Sequence, residues 1–303
     1  MRRNFALLIF LFSVSLAFAG DYWNVDPGGT TMKFLSMSVS PRAAAIAGAG
    51  VAAPAGISEV SRNPLATSTI REASIGINEV LFPESVGANL TSIYFGLPLT
   101  KVNVSAGLEF LGYREIEGRD EDGFETGSYG AFSWAWQLGV ANKKSLFNWA
   151  LSLRMASQTI EDETSLAILG DVGGSFAVNR FFSFGATLTN VGYASPYMTE
   201  SETPPTALQA GIAAVIPILS IFDFMLYADA YRRADTESQW LFGGELSYKS
   251  TLVLRSGYSL RPDTESGLSA GIGICFDLFS VDYAYQSRPA IKGNHLLSLT
   301  VRF

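Results

Sequence analysis

The chain of 303 residues holds one cysteine and one histidine. Cys275 has no partner for an internal disulfide, and a single histidine with a single cysteine does not build a His/Cys zinc site. Charge is scarce as well: 16% of the residues are Asp, Glu, Lys or Arg, and they leave a formal net charge of −7. An acidic surface repels nucleic acid, so no nucleic-acid partner is expected. Beyond the amino-terminal segment, no uncharged apolar run reaches the ~20 residues that a membrane-crossing helix needs. What the chain has in quantity is hydrophobic residues (48%), aromatics (13%) and 29 glycines. That composition suits a large β structure with unusually apolar surfaces.

The start of the chain, Met1-Arg2-Arg3-Asn4, is basic, Phe5 to Phe12 is apolar, and Ala17-Phe18-Ala19 precedes Gly20 as a small-x-small cleavage site. This reads as a secretory signal over residues 1–19, too short in its apolar part for a membrane anchor. No cysteine lies near residue 20 to carry a lipid. An exported chain of this kind is either soluble or crosses a membrane as strands.

Period-two patterning chooses between the two. In the last segment Leu297, Leu299, Val301 and Phe303 share one face, and Ser298, Thr300 and Arg302 the other. Trp149, Leu151, Leu153 and Met155 oppose Ala150, Ser152, Arg154 and Ala156, and Phe132, Trp134, Trp136, Leu138 and Val140 oppose Ala131, Ser133, Ala135, Gln137 and Gly139. A soluble sandwich would place long charged side chains on its polar face. Here that face is mostly Gly, Ala and Ser, which fits a barrel with lipid outside and a packed or wet interior.

The alternating runs fall at 73–82, 89–99, 102–116, 127–141, 147–160, 168–178, 181–192, 205–217, 222–233, 239–250, 251–260, 267–277, 279–287 and 295–303. The prediction is therefore an all-β, transmembrane antiparallel barrel of about fourteen strands spanning residues 71–303, in the outer membrane of a Gram-negative-type bacterium with outer-membrane lipid around it. Tight links such as Asp277-Leu278 belong on one rim, and the polar insertions 115–126 and 194–205 on the other. Trp149, Phe181, Phe182, Trp240 and Phe303 near strand ends are placed to form interfacial girdles.

Residues 20–70 do not alternate. Pro41-Arg42-Ala43-Ala44-Ala45-Ile46-Ala47-Gly48-Ala49-Gly50-Val51-Ala52 is rich in small side chains, and Ser61-Arg62-Asn63-Pro64 marks a turn. The segment reads as a hatch inside a barrel too wide for its own side chains to fill. This block, with the preceding Phe34-Leu35, resembles the start of PorV/PorQ family proteins, which belong to the fatty-acid-transporter-like barrels. Gly267-Leu268-Ser269-Ala270-Gly271, Asp282-Tyr283-Ala284-Tyr285 and Gly293-Asn294-His295 before a final Phe303 extend the likeness over the mature chain. Leu65 stands after Asn63-Pro64 where that family has alanine, and its acidic pair is reduced to Glu59. The resemblance implies a hatch whose motif residues are Arg42, Gly48, Gly50, Asn63 and Pro64. Separately, a terminal aromatic after alternating residues looks like the carboxyl-terminal signal of bacterial outer-membrane barrels, which makes Phe303 an assembly signal for the barrel assembly machinery. The family resemblance also implies a role in type IX secretion, with secretion components and secreted cargo as partners, closer to PorQ than to the longer PorV. The wider superfamily implies the alternative, a channel for uptake of small hydrophobic molecules. In that reading the glycines of Gly170-Asp171-Val172-Gly173-Gly174 mark a bulge for sideways opening, although lumen packing explains them equally well.

With the bulky face outward, Glu109, Arg154, Asp171, Asp223, Asp229, Glu245, Arg255, Asp282 and Arg302 point inward. Unpaired charge in a partly dry lumen is costly, so these residues are expected to pair with one another and grip the hatch, with Arg42 as a natural partner. No enzyme is expected. His295 lies in the outward register of Leu297 and Leu299, away from any lumen nucleophile, and Cys275 is a small filler without a base. Asp120-Glu121-Asp122-Gly123 lacks calcium-loop spacing and reads as a solvated loop. No metal or cofactor is expected.

Overall fold

Alternation in sequence becomes alternation in space. The structure, a computed structural model, describes residue 23 and residues 25–114, 116–143, 145–197, 203–218, 221–261, 267–287 and 292–303. The segment read as a signal, 1–19, lies outside them.

The strands are β1 (Ser74–Leu81), β2 (Ala88–Pro98), β3 (Val102–Tyr113), β4 (Ile116–Arg119), β5 (Glu125–Tyr129), β6 (Ala131–Asn142), β7 (Phe147–Ile160) and β8 (Glu163–Ala177). They continue as β9 (Phe182–Ala194), β10 (Ala207–Ile218), β11 (Phe222–Arg233), β12 (Gln239–Tyr248), β13 (Leu252–Leu260), β14 (Gly267–Cys275), β15 (Phe279–Gln286) and β16 (Asn294–Arg302). All but β4 and β5 form one closed antiparallel barrel of fourteen strands, sealed where β1 pairs with β16. Closure removes every free sheet edge, the condition for strands to sit in hydrocarbon.

The faces are inverted relative to a soluble protein. Leu153 is 49% exposed while the adjacent Arg154 is 1% exposed. Leu108, Leu138, Leu151, Leu254, Leu297 and Leu299 all project outward. Short links such as 99–101, 249–251 and 276–278 gather at one rim together with both ends of the barrel sequence. The other rim carries the longer connections. One of these is partly folded: β4 and β5 pair as a separate hairpin that covers the expected polar insertion and runs on to Tyr129, so the barrel strand read from 127 begins only at Ala131. The Asp120 carboxylate fixes its turn by accepting from the backbone N–H of Asp122 and of Phe124, which accounts for the Asp120–Gly123 run. The long-loop rim has one tight link too, Glu161-Asp162 between β7 and β8.

Pairing of β8 with β9 shifts register between Gly170 and Val172. Asn190 on the facing strand takes a positive φ of 58°, and its N–H donates to Asp171 at 2.7 Å. The irregularity is thus closed by hydrogen bonds. Outside it lies a feature the sequence did not indicate. Trp23 packs with Leu208 and Ala234, against Val25 and Leu188, on the outward side of β9 and β10. The chain then turns over the long-loop rim, where Thr31 N–H donates to Thr203 and the Thr30 hydroxyl to Asp235.

Candidate functional site in the barrel lumen

From Met32 onward most of the chain before β1 is buried, with Lys33, Ala55, Gly56, Arg71 and Glu72 exposed, and it is built of short turns. Ser40 accepts from Ala43 N–H and Pro41 stands in the first turn, which starts the short helix α1 (Pro41–Ala45). Gly48 and Gly50 end that region at φ values of 82° and 98°, conformations that favour residues without Cβ. Asn63 accepts from Leu65 N–H and caps the 3-10 turn Pro64–Thr69, while its amide donates to Val51 O.

So irregular a segment leaves many backbone groups unpaired, and buried ones must find partners. The wall supplies them. Asn103 donates to the carbonyls of Thr67, Ser68 and Ile70, Gln137 to Val60, Gln209 to Gly48, and Ser269 to Ala45. Asp229 accepts from Val51 N–H at 2.9 Å and from Gln209 at 2.7 Å. The small polar inward face therefore acts as a hydrogen-bonding lining for the hatch.

Two charged clusters hold opposite sides. In the first, Arg42 spans Glu59 at 2.8 Å and both carboxylate oxygens of Glu245 at 2.8 and 2.9 Å. Tyr227 accepts from Arg42 at 2.9 Å and donates to Glu245 at 2.5 Å. Arg255 links Glu245 to Asp282, each at 2.6 Å. Burial by itself would push the Arg42 guanidinium down. The carboxylates of Glu245 and Glu59 outweigh it and hold the group well above its ordinary value, so it stays charged. In the second cluster Arg154 donates to Ser61 O at 2.6 Å, Asn190 at 2.8 Å, Gln137 at 3.0 Å and Asp171 at 3.2 Å. Both clusters tie wall to hatch.

The remaining inward charges are placed differently. Glu109 accepts from the buried Tyr94 hydroxyl at 2.6 Å. Arg302 donates to Phe276 O and the Ser280 hydroxyl near the short-turn rim. Asp223 shares the inward register of Asp229 but sits exposed near the end of β11, outside both clusters. Phe303 is 65% exposed, its N–H bonded to Ala73 O. On the outer face His295 meets the Tyr283 hydroxyl at 2.8 Å. Cys275 lines a polar cavity of about 370 Å³ at the short-turn rim with Arg42, Arg71, Arg255, Asp282 and Arg302.

A second tier of the lumen was not foreseen. Near the long-loop rim the inward positions Val80, Leu90, Leu111, Leu169 and Leu296 are buried large apolar side chains rather than small or polar ones. They form one cluster with Met32, Phe34, Leu35 and Val39 of the hatch. The sequence held a signal for it: Val80-Leu81, Phe110-Leu111, Ile168-Leu169 and Leu296-Leu297 are apolar doublets in otherwise alternating strands, so both faces are apolar there. Tyr227, Tyr94 and Gln137 were also missed, because a lone polar residue on a small-residue face gives no hint of its partner.

Where hatch and wall touch most closely, the wall is glycine. A Cβ on Gly257 would lie 2.3 Å from the Ile46 carbonyl carbon, and one on Gly185 would lie 2.6 Å from Ala52 Cα. Gly257→Ala is therefore expected to weaken hatch docking by about 1–3 kcal/mol through overpacking. Faster tryptic cleavage at Arg62 would report it. Gly130→Ala, where nothing lies within 4 Å of the added Cβ, should leave cleavage unchanged.

No family model matches the chain, and no curated protein matches it in sequence. Solved structures do match the fold. The toluene transporter TbuX of Ralstonia pickettii superposes with a TM-score of 0.61 at 13% identity, over 87% of this chain and 98% of that one. The toluene transporter TodX of Pseudomonas putida gives 0.63 at 12% identity, over 94% and 100%. A FadL homologue of Pseudomonas aeruginosa gives 0.55 at 11% identity, over 88% and 99%. The chain thus has the fold of FadL-type outer-membrane barrels.

Proposed function

We propose that this protein is a non-enzymatic outer-membrane channel for inward passage of small hydrophobic molecules, with residues 25–70 as its hatch. The observation that carries the reading is the apolar inward tier near the long-loop rim, which in such barrels faces outside the cell. A pore for polar solutes has no use for buried Leu90, Leu111 and Leu296 on its inner wall. Two fold neighbours, TbuX and TodX, are toluene transporters by name, which supports the same substrate class. The register shift beside Gly170 is where a sideways exit would form, by breaking the Asn190–Asp171 hydrogen bond that closes it here. Cells expressing the chain are expected to take up dilute radiolabelled toluene several-fold faster than cells lacking it, and equal uptake would overturn the reading.

A second reading, a type IX secretion component that binds or retains cargo at the surface, is favoured by the Phe34-Leu35 and Pro41–Ala52 block. The exposed β4–β5 hairpin, with Phe124 72% exposed at its turn, offers it a contact surface. Deleting the gene should then remove cargo proteins from the cell surface, and unchanged display would count decisively against it.

A further inference from the structure

The polar cavity at the short-turn rim takes no part in the passage of hydrophobic molecules. It lies between the hatch and the inner face of β15, β16 and β1 and holds about 370 Å³, a volume in the range of small-molecule sites. Arg71 and Glu72, both exposed, stand at its mouth. With the longer connections outside the cell, the short-turn rim faces the periplasm, so a ligand of this cavity would come from there.

Two of its four arginines are committed: Arg42 and Arg255 are taken up by Glu59, Glu245 and Asp282. The other two have no carboxylate. Arg302 reaches only the Phe276 carbonyl at 3.1 Å and the Ser280 hydroxyl at 3.2 Å, and the Arg71 side chain makes no hydrogen bond or ion pair among the described residues. Strand pairing gathers them: Arg302 lies directly across from Ser74, which follows Arg71 by three residues. Further in on the same face, Ser298 lies across from Asp282. Ser74 and Ser298 are each 6% exposed, and their hydroxyls line the cavity without a hydrogen-bond partner among the described residues, where buried polar side chains ordinarily have one.

The patch is a set of donors that lacks an acceptor. Of the two acids on the lining, Asp282 is held by Arg255 at 2.6 Å, and Glu72 is exposed at the mouth, where solvent and salt screen its charge. We propose that this cavity binds a phosphate group, free or at the end of a small soluble ester, with the guanidiniums of Arg302 and Arg71 on its oxygens and the hydroxyls of Ser74 and Ser298 completing the shell. A guanidinium fork matches carboxylate and phosphate alike. A phosphate, with its three terminal oxygens, takes two forks and two hydroxyls at once more readily than a carboxylate with two. A lipid headgroup carries the same chemistry, but the closed wall stands between this cavity and the bilayer, which favours a soluble source. The bound anion would join Arg71, just before β1, to Arg302 at the end of β16, across the seam where the barrel closes.

The test uses the full-length barrel in detergent and radiolabelled inorganic phosphate. The chain's single cysteine, Cys275, lines the same cavity and reports where the anion sits. Saturable binding is expected, and saturating phosphate should slow maleimide labelling of Cys275 several-fold. Arg71→Gln, outside the barrel strands, and Arg302→Gln should each weaken binding about tenfold, the loss of a hydrogen-bonded charge. Arg119→Gln, on the distant β4–β5 hairpin, should bind as wild type does. No saturable binding, Cys275 labelling unchanged by bound phosphate, or wild-type affinity in both Arg71→Gln and Arg302→Gln overturns the site. In vesicles, phosphate should bind equally well whether the lipid is phosphatidylglycerol or phosphatidylcholine. Binding lost only in phosphatidylglycerol overturns the soluble source and gives the two arginines to a lipid headgroup.

Discussion

Arg42→Ala is expected to undock the hatch. The substitution leaves Glu59 without its cation and deprives Glu245 of two of its hydrogen bonds, both groups being buried. Breaking a buried ion pair by removing one partner costs about 3–5 kcal/mol, and here the loss falls on the hatch–wall contact because Arg42 and Glu59 belong to one and Glu245 to the other. The measurable results are larger and noisier currents in planar bilayers and tryptic cleavage at Arg62 in the assembled barrel. Arg42→Lys should recover only part of the closure, since a single ammonium cannot reproduce the fork that reaches Glu59, Glu245 and Tyr227 together. Restoring neutrality by combining Arg42→Met with Glu59→Gln should recover more than Arg42→Lys if stranded charge is the cause. Conductance and protease protection identical to wild type in Arg42→Ala would mean that the polar contacts of Asn103, Gln137, Gln209 and Arg154 hold the hatch without it.

The second large effect is at the opposite face. Leu153→Arg puts a cation into the lipid-facing surface near the middle of β7, where the cost for Arg or Lys is about 2–4 kcal/mol. The expected result is a lower temperature for the shift from folded to unfolded mobility in SDS gels and less protein in the outer membrane. The neighbouring Arg154 is the internal control, because the same side chain one residue along is buried in the lumen with its two terminal nitrogens bonded to Ser61, Gln137, Asp171 and Asn190. An unaltered gel-shift temperature in Leu153→Arg would refute the assignment of this face to lipid.

That pair of adjacent residues also marks what could be read without coordinates. Side chains of a strand point alternately to its two faces, so Leu151, Leu153 and Met155 against Ser152 and Arg154 declare two environments before any strand is paired. The same rule located the fourteen barrel strands to within a few residues, because each spans a membrane and must repeat the pattern. It also placed Glu109, Arg154, Asp171, Asp229, Glu245, Arg255, Asp282 and Arg302 on the inward face. The hatch was legible as a break in the pattern.

Pairing was not legible. Arg42 meets a glutamate 203 positions away, and which wall carboxylate it reaches depends on the stagger of a closed barrel and the depth of the hatch within it. Nothing local encodes either. Asp223 obeys the same alternation as Asp229 yet lies exposed, since period two fixes the face and not the height along the barrel. Trp23 falls within the segment read as hatch, but its apolar ring finds Leu188 and Leu208 outside the wall. The sequence by itself determined that this chain makes an inside-out barrel around a buried segment. Only the tertiary structure decided that the lumen is divided into an ionic tier and an apolar one, because that division arises from strands far apart in sequence being brought to the same height.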